Sequence, residues 1–304
     1  MSLRLGRARL RVWTTLAASF ALVAVTVGTG TGVAAAAPPE PGPGVEYVAL
    51  GDSFAAGPLI LPQETGGPCF RSSVNYPHLL ARALDAQVFR DVTCSGATTA
   101  NVLTTPQPSG FPGVAPVPVQ LDAVTSTTTL VTLSIGANDA DLVDIVSGCL
   151  SLLPLGPSCR TTLTAGGVDR GAEAVDAVAP RIAATLDAVR ARAPQARVLI
   201  TSYANYIRPG GCYPVQPIRG EDADYVQGLV GRLGALTRAV AADHGAEYVD
   251  LIGPGAGHDG CALLRNWVTF VTPGVTLGLV PLHPTALGER NFARIIEGHL
   301  TGSG

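Results

Sequence analysis

The sequence predicts an α/β fold, a parallel sheet between two layers of helices, on two observations. Short apolar runs rich in β-branched residues alternate with longer helical patterns from residue 45 onward, the mark of α/β organisation. The chain has 304 residues, 47% apolar and 14% charged, which is enough for a sizeable core and excludes a disordered or collagen-like chain.

The N-terminus stands apart from that pattern. Arg4, Arg7, Arg9 and Arg11 precede an uncharged stretch from Val12 to Pro39, whose apolar centre runs from Leu16 to Val27. That centre has the length of a signal h-region, and Gly28, Gly30 and Gly32 after it would end a spanning helix poorly. Ala35-Ala36-Ala37 offers a small-residue cleavage site before Pro38. Residues 1–37 are therefore expected to be a signal peptide, 38–44 a Pro/Gly-rich tail and 45–304 a single domain, secreted from the cell.

Removing residues 1–37 leaves sixteen Arg against 23 acidic residues and a net charge near −7, with no Lys. Such a surface argues against nucleic acid or anionic lipid as the main partner and suits a small neutral or weakly polar substrate. The mature protein is expected to be a monomer without membrane insertion.

Five strands are expected: Val45 to Leu50, Gln87 to Val92, Thr129 to Ile135, Arg197 to Thr201 and Glu247 to Leu251. The helical patterns run Tyr76 to Leu84, Ala140 to Val146, Val168 to Ala193, Asp222 to Asp243 and Ala286 to Leu300. Strands followed by crossover helices imply a three-layer α/β/α architecture with a five-stranded parallel sheet and a site at the strands' carboxyl ends. Two long irregular stretches, Thr104 to Val119 with five Pro and Gly253 to Pro281, read as site walls. Their Phe111, Leu263, Leu264, Trp267 and Phe270 would either line an apolar acyl groove or pack the loops onto the core.

Six cysteines, Cys69, Cys94, Cys149, Cys159, Cys212 and Cys261, lie in the mature part. An even count in an exported chain favours disulfides, in more arrangements than spacing alone can settle. No two are spaced as CxxC, and the five His are scattered, so neither a metal nor a cofactor is expected.

The chemistry begins where Tyr47-Val48-Ala49-Leu50 runs into Gly51-Asp52-Ser53-Phe54. A turn from strand to helix can hold a Ser oxygen at a pocket floor while the free N–H groups of the helix face an anion; Asp-Ser there is also an ordinary N-cap. Further blocks follow the second and third strands, Cys94-Ser95-Gly96-Ala97 and Ser134-Ile135-Gly136-Ala137-Asn138-Asp139, and Leu282-His283-Pro284 precedes the last helix.

In this order the blocks resemble those of the SGNH hydrolases, also called GDSL lipases and esterases. That family carries Ser, Gly, Asn and His in four successive blocks, and the match falls at Ser53, Gly96, Asn138 and His283. The resemblance covers Val45 to about Leu300 and implies a flavodoxin-like three-layer fold and hydrolysis of carboxylic esters. It also implies the three sequential disulfides of secreted actinobacterial members: Cys69 with Cys94, Cys149 with Cys159, and Cys212 with Cys261.

Each residue type then has a task. Ser53, a poor nucleophile as an alcohol, needs His283 to take its proton and return it to the leaving alcohol. The oxyanion needs donors, which Ser53 and Gly96 would supply as backbone N–H groups and Asn138 as a side-chain amide. Asp52 and Asp139 read as residues that hold turns and cap helices. Most family members carry Asp three residues before the His; here that position is Val280, so the resemblance implies that its backbone carbonyl orients the ring. Asp259 is the rival orienter. On the same site the resemblance leaves open a phospholipase or a carbohydrate O-acyl esterase, and a secreted binding module without chemistry is the alternative from another class. Tyr203 and Tyr206 receive no role.

Overall fold

The computed structural model describes residues 44–302, apart from 65–66, 154 and 272–279. The expected signal peptide and all but the last residue of the expected tail lie outside the described residues. Five strands form one sheet: β1 (Glu46–Gly51), β2 (Val88–Asp91), β3 (Leu130–Ser134), β4 (Arg197–Thr201) and β5 (Glu247–Val249). Their order is β2-β1-β3-β4-β5 and every pair is parallel. The flavodoxin-like sheet expected from the sequence is therefore present, with strand ends shifted by one or two residues.

A parallel sheet covered on both faces needs strands that are apolar on both sides. Val48, Leu50, Val131, Leu133, Val198 and Ile200 on one face and Tyr47, Ala49, Leu130 and Leu199 on the other are all buried. Fully burying such a side chain stabilises by about 1.5–3 kcal/mol. At the edge, β2 is partly exposed, and its Arg90 pairs with Glu46 of β1 at 2.7 Å.

The helices are α1 (Ser53–Ala56), α2 (Tyr76–Ala83), α3 (Thr99–Leu103), α4 (Leu142–Cys149) and α5 (Cys159–Leu163), then α6 (Arg170–Asp176), α7 (Ala179–Arg192), α8 (Gly220–Asp243) and α9 (Ala286–Thr301). Helix α2 packs against α9, while α7 packs against α3 and α8. No described helix is long and apolar enough to cross a membrane.

One helical expectation is corrected. The pattern from Val168 to Ala193 forms two helices, α6 and α7, broken at Ala177 and Val178. Pro180 lies in the first turn of α7, where its missing N–H costs nothing, whereas in a continuous helix it would remove a bond and clash with the preceding turn. The short helices α1, α3 and α5 fall below the length at which periodicity is readable.

The three disulfides pair Cys69 with Cys94, Cys149 with Cys159 and Cys212 with Cys261. The first fastens the segment before α2 to the loop after β2. The second ties α4 to α5, and the third joins the loop after β4 to the long loop after β5. Closing loops of 25, 10 and 49 residues stabilises by roughly 3–4 kcal/mol each in the chain-entropy account.

Candidate active site

The carboxyl ends of β1, β2 and β3 carry three of the four motif blocks, and the segment before α9 carries the fourth. At the end of β1, Gly51 adopts a φ of +147°, and a Cβ there would stand 2.6 Å from the Ser134 carbonyl oxygen. Only glycine fits. The Gln120 side-chain amide clamps this residue twice, accepting from Gly51 N–H at 2.8 Å and donating to its carbonyl at 2.9 Å. Asp52 N–H then donates to Ser134 O at 3.0 Å, and Asp52 caps α1 by accepting from Phe54 N–H at 2.9 Å. Ser53 is thereby the first residue of α1, with Phe54, Ala55 and Ala56 buried behind it.

Asp52 is itself buried and also accepts from the Tyr203 hydroxyl. Burial pushes its carboxyl up to about 7, against the hydrogen bonds from Tyr203 and Phe54 that favour its charged form. Both of its oxygens serve the turn, as the reading of Asp52 as structural anticipates.

The second and third loops are tied to each other. Asn138 Nδ2 donates to Ala97 O at 2.8 Å, which uses one of the two amide hydrogens and leaves the other for a ligand. Asp139 accepts from Thr99 N–H at 2.9 Å and from its hydroxyl at 2.6 Å, so it fastens the start of α3. Gly96 sits immediately before these ties at φ +82°, a left-handed position that glycine takes without strain. Gln107 Nε2 donates to Ser95 O at 2.7 Å, so the Pro-rich segment braces this loop from outside.

His283 lies on a strip of chain that runs antiparallel to residues 267–270. Thr269 N–H donates to His283 O at 2.9 Å and Leu282 N–H to Phe270 O at 2.8 Å. Its Nδ1 stands 2.6 Å from the Pro281 carbonyl oxygen. A carbonyl only accepts, so Nδ1 carries the hydrogen and Nε2 is left as the basic nitrogen. Burial lowers the imidazole below its ordinary value, partly opposed by the Pro281 carbonyl.

This geometry corrects the expected orienter. The Val280 carbonyl instead accepts from the Thr269 hydroxyl, and the carbonyl one residue later faces the ring. Leu282 adopts a left-handed φ of 61° and folds the chain back, so that the acceptor is two residues before the His rather than three. Asp259 is not the orienter either: its Oδ1 accepts from Arg208 Nε at 3.1 Å and Cys261 N–H at 2.8 Å.

Ser53, Asn138 and His283 together line two cavities. The more enclosed one lies between Leu142, Val146, Tyr206, Val226, Val230 and Phe270. The other, more open, adds Gly96, Leu59, Phe70 and Val280. The Ser53 hydroxyl makes no hydrogen bond among the described residues, and the two cavities give it space on either side. Of the apolar candidates in the two irregular stretches, Phe270 lines the enclosed cavity. Trp267 packs edge-on to Phe292 and stacks on His258, Phe111 leans on Phe70, and Leu263 and Leu264 are 53% and 67% exposed.

The family model for GDSL-like lipases and acylhydrolases matches residues 49–290. The chain belongs to this family. As a GDSL hydrolase it is a carboxylic ester hydrolase, of the lipase and esterase kind. It is 37% identical over 260 residues to Lipase 2 of Streptomyces coelicolor, covering 82% of this chain and 83% of that protein. The extracellular lipase of Streptomyces rimosus superposes with a TM-score of 0.69 at 28% identity, covering 84% of this chain and 99% of the other. Phospholipase A1 of Streptomyces albidoflavus gives the same TM-score, identity and coverage.

Sequence reasoning missed several residues of this GDSL site. Tyr203 follows β4 at its carboxyl end, where the rule for open parallel sheets places ligands, and that position was the available signal. Gln120 and Thr269 act on backbone far away in sequence and carry no local signature. Pro281 acts through its carbonyl, which every residue has.

Proposed function

We propose that this hydrolase is secreted and cleaves carboxylic esters through an acyl-enzyme on Ser53. His283 Nε2 takes the Ser53 proton as Oγ attacks the ester carbonyl carbon. The resulting oxyanion accepts from the N–H groups of Ser53 and Gly96 and from the free amide hydrogen of Asn138. Collapse of this intermediate breaks the bond to the alcohol, which leaves with the proton held by His283. Water then repeats the sequence on the acyl-enzyme and frees the acid.

The observation that carries this reading is the shared lining: Ser53, Asn138 and His283 meet at the same two cavities, with an imidazole whose Nε2 is free of hydrogen. The enclosed, apolar cavity suits an acyl chain. The open one suits the alcohol, because water must later enter on the side from which the alcohol has left. A phospholipid is the second substrate reading, favoured by the likeness to the Streptomyces albidoflavus enzyme.

The test is hydrolysis of p-nitrophenyl esters of graded chain length beside a phospholipid, by the protein and by Ser53→Ala. Loss of turnover by a factor of ~10⁴ or more in the variant is the expected outcome; an active Ser53→Ala protein contradicts it. For export, the reading rests on the Arg-led apolar segment at residues 4–27 and on three disulfides that need an oxidising compartment. The mature protein, a monomer, is expected to begin at Pro38, which the intact mass of the secreted form checks.

A further inference from the structure

Tyr203 is 5% exposed and comes two residues after β4, in none of the four motif blocks. Its ring meets Phe54 edge-on with centroids 5.3 Å apart. Its hydroxyl accepts from Ala137 N–H at 3.0 Å and donates to the Asp52 carboxylate. One atom thus bonds the residue before Ser53 and the residue before Asn138. These two neighbours carry oxyanion donors from different loops, and the distance between those donors must suit a single oxygen atom.

A phenylalanine would fill the same space and keep the contact with Phe54. A phenol there is worth its burial only because both of its bonds are made, since a buried hydroxyl left unpaired is destabilising. Both partners lie on the loops of the reacting centre. Burial and the facing Asp52 carboxylate hold the phenol well above its ordinary pKa, so it remains a neutral donor at every working pH.

We propose that Tyr203 is a positioning residue that sets the spacing of the oxyanion donors, by bridging the turn that presents Ser53 to the loop that presents Asn138. Its ring lines the enclosed cavity with Ser53 and Asn138, while its hydroxyl is engaged by Asp52 and Ala137. Its effect passes through Asn138, so it belongs to the stabilisation of the tetrahedral intermediate and not to substrate binding. The inference rests on the reading of Ser53, Gly96 and Asn138 given above.

The experiment is a double-mutant cycle between Tyr203→Phe and Asn138→Ala. It is read as kcat and KM on a soluble p-nitrophenyl ester and as affinity for a boronic acid that mimics the tetrahedral intermediate. In Tyr203→Phe, kcat is expected to fall about ten- to hundredfold, with KM within about twofold and boronate affinity falling in step with kcat. In the double variant the loss is expected to stay within about twofold of that of Asn138→Ala alone. Asp52→Asn leaves one acceptor oxygen where two are used, and it serves if Tyr203→Phe does not fold. It is expected to lower kcat about threefold to tenfold, masked in the same way by Asn138→Ala.

Losses that multiply in the double variant overturn the inference and leave the function intact, as does an unchanged kcat or an effect confined to KM. An Asn138→Ala protein with near-normal kcat overturns both the inference and the reading of the oxyanion site. Circular dichroism and melting curves separate misfolding from mispositioning.

Discussion

The turn that presents Ser53 and the strip that presents His283 are held in opposite ways. The Ser53 turn is an extension of the sheet: Gln120 clamps Gly51, Ser134 holds Asp52, and Tyr203 braces the carboxylate from a third strand. The His283 strip leans on a loop through backbone bonds to Thr269 and Phe270, and its ring is steered by one neutral carbonyl. The proposed nucleophile is thus placed by bonds to the end of the sheet, and the proposed base by backbone bonds to a loop whose Val268, Thr269 and Phe270 are themselves buried. The contrast also has an electrostatic side. Among the described residues no carboxylate is bonded to the imidazole, and the acid anticipated for that task, Asp259, is engaged by Arg208.

Three substitutions press on this contrast. On the sheet side, Asn138→Ala removes the proposed side-chain donor to the oxyanion and should lower kcat by ~10²–10³, measured by steady-state hydrolysis. A loss below about tenfold would remove Asn138 from the oxyanion site. Gln120→Ala leaves the Gly51 N–H buried without a partner, while the Gly51 carbonyl keeps its bond from Cys94 N–H, and should lower stability by about 1–3 kcal/mol, read from urea unfolding. An unchanged unfolding midpoint would mean that the clamp is dispensable.

On the histidine side the expected effect is a displacement in pH. Burial lowers the imidazole, so its neutral, basic form persists to lower pH and the acid limb of kcat/KM should fall below about 6.5. Val280 lines the open cavity beside His283, and Val280→Asp would set a carboxylate near the ring. Its charge favours the imidazolium, so the limb should move up by on the order of one pH unit. A limb that stays put would show that the strip does not bring position 280 within reach of the ring.

What the sequence revealed divides along the same line. The sheet was legible because buried parallel strands write continuous β-branched runs, and Ser53, Gly96 and Asn138 could be singled out as candidates because short motifs sit where those strands end. His283 was legible from its block, but its orienter was read one residue early. The acceptor is a backbone atom, and which carbonyl faces the ring depends on the left-handed Leu282, for which a leucine gives no sign. The split between α6 and α7 was signalled by Pro180 and lost to a periodicity that continues across the break. Gln120 and Tyr203 escaped because their partners lie 69 and 151 residues away. Five residues lining the enclosed cavity come from α4 and α8, and of the irregular stretches that looked like walls Phe270 joins them there while Val280 lines the open cavity.

The central claim is that the Ser53 hydroxyl is made nucleophilic by His283. It is tested most directly by treating the protein with a fluorophosphonate and mapping the adduct by peptide mass spectrometry, beside Ser53→Ala and His283→Ala. The account predicts one adduct, on Ser53, absent from Ser53→Ala and formed at least ~10³-fold more slowly in His283→Ala. An adduct on another residue, or labelling of Ser53 at an undiminished rate without the imidazole, would contradict it.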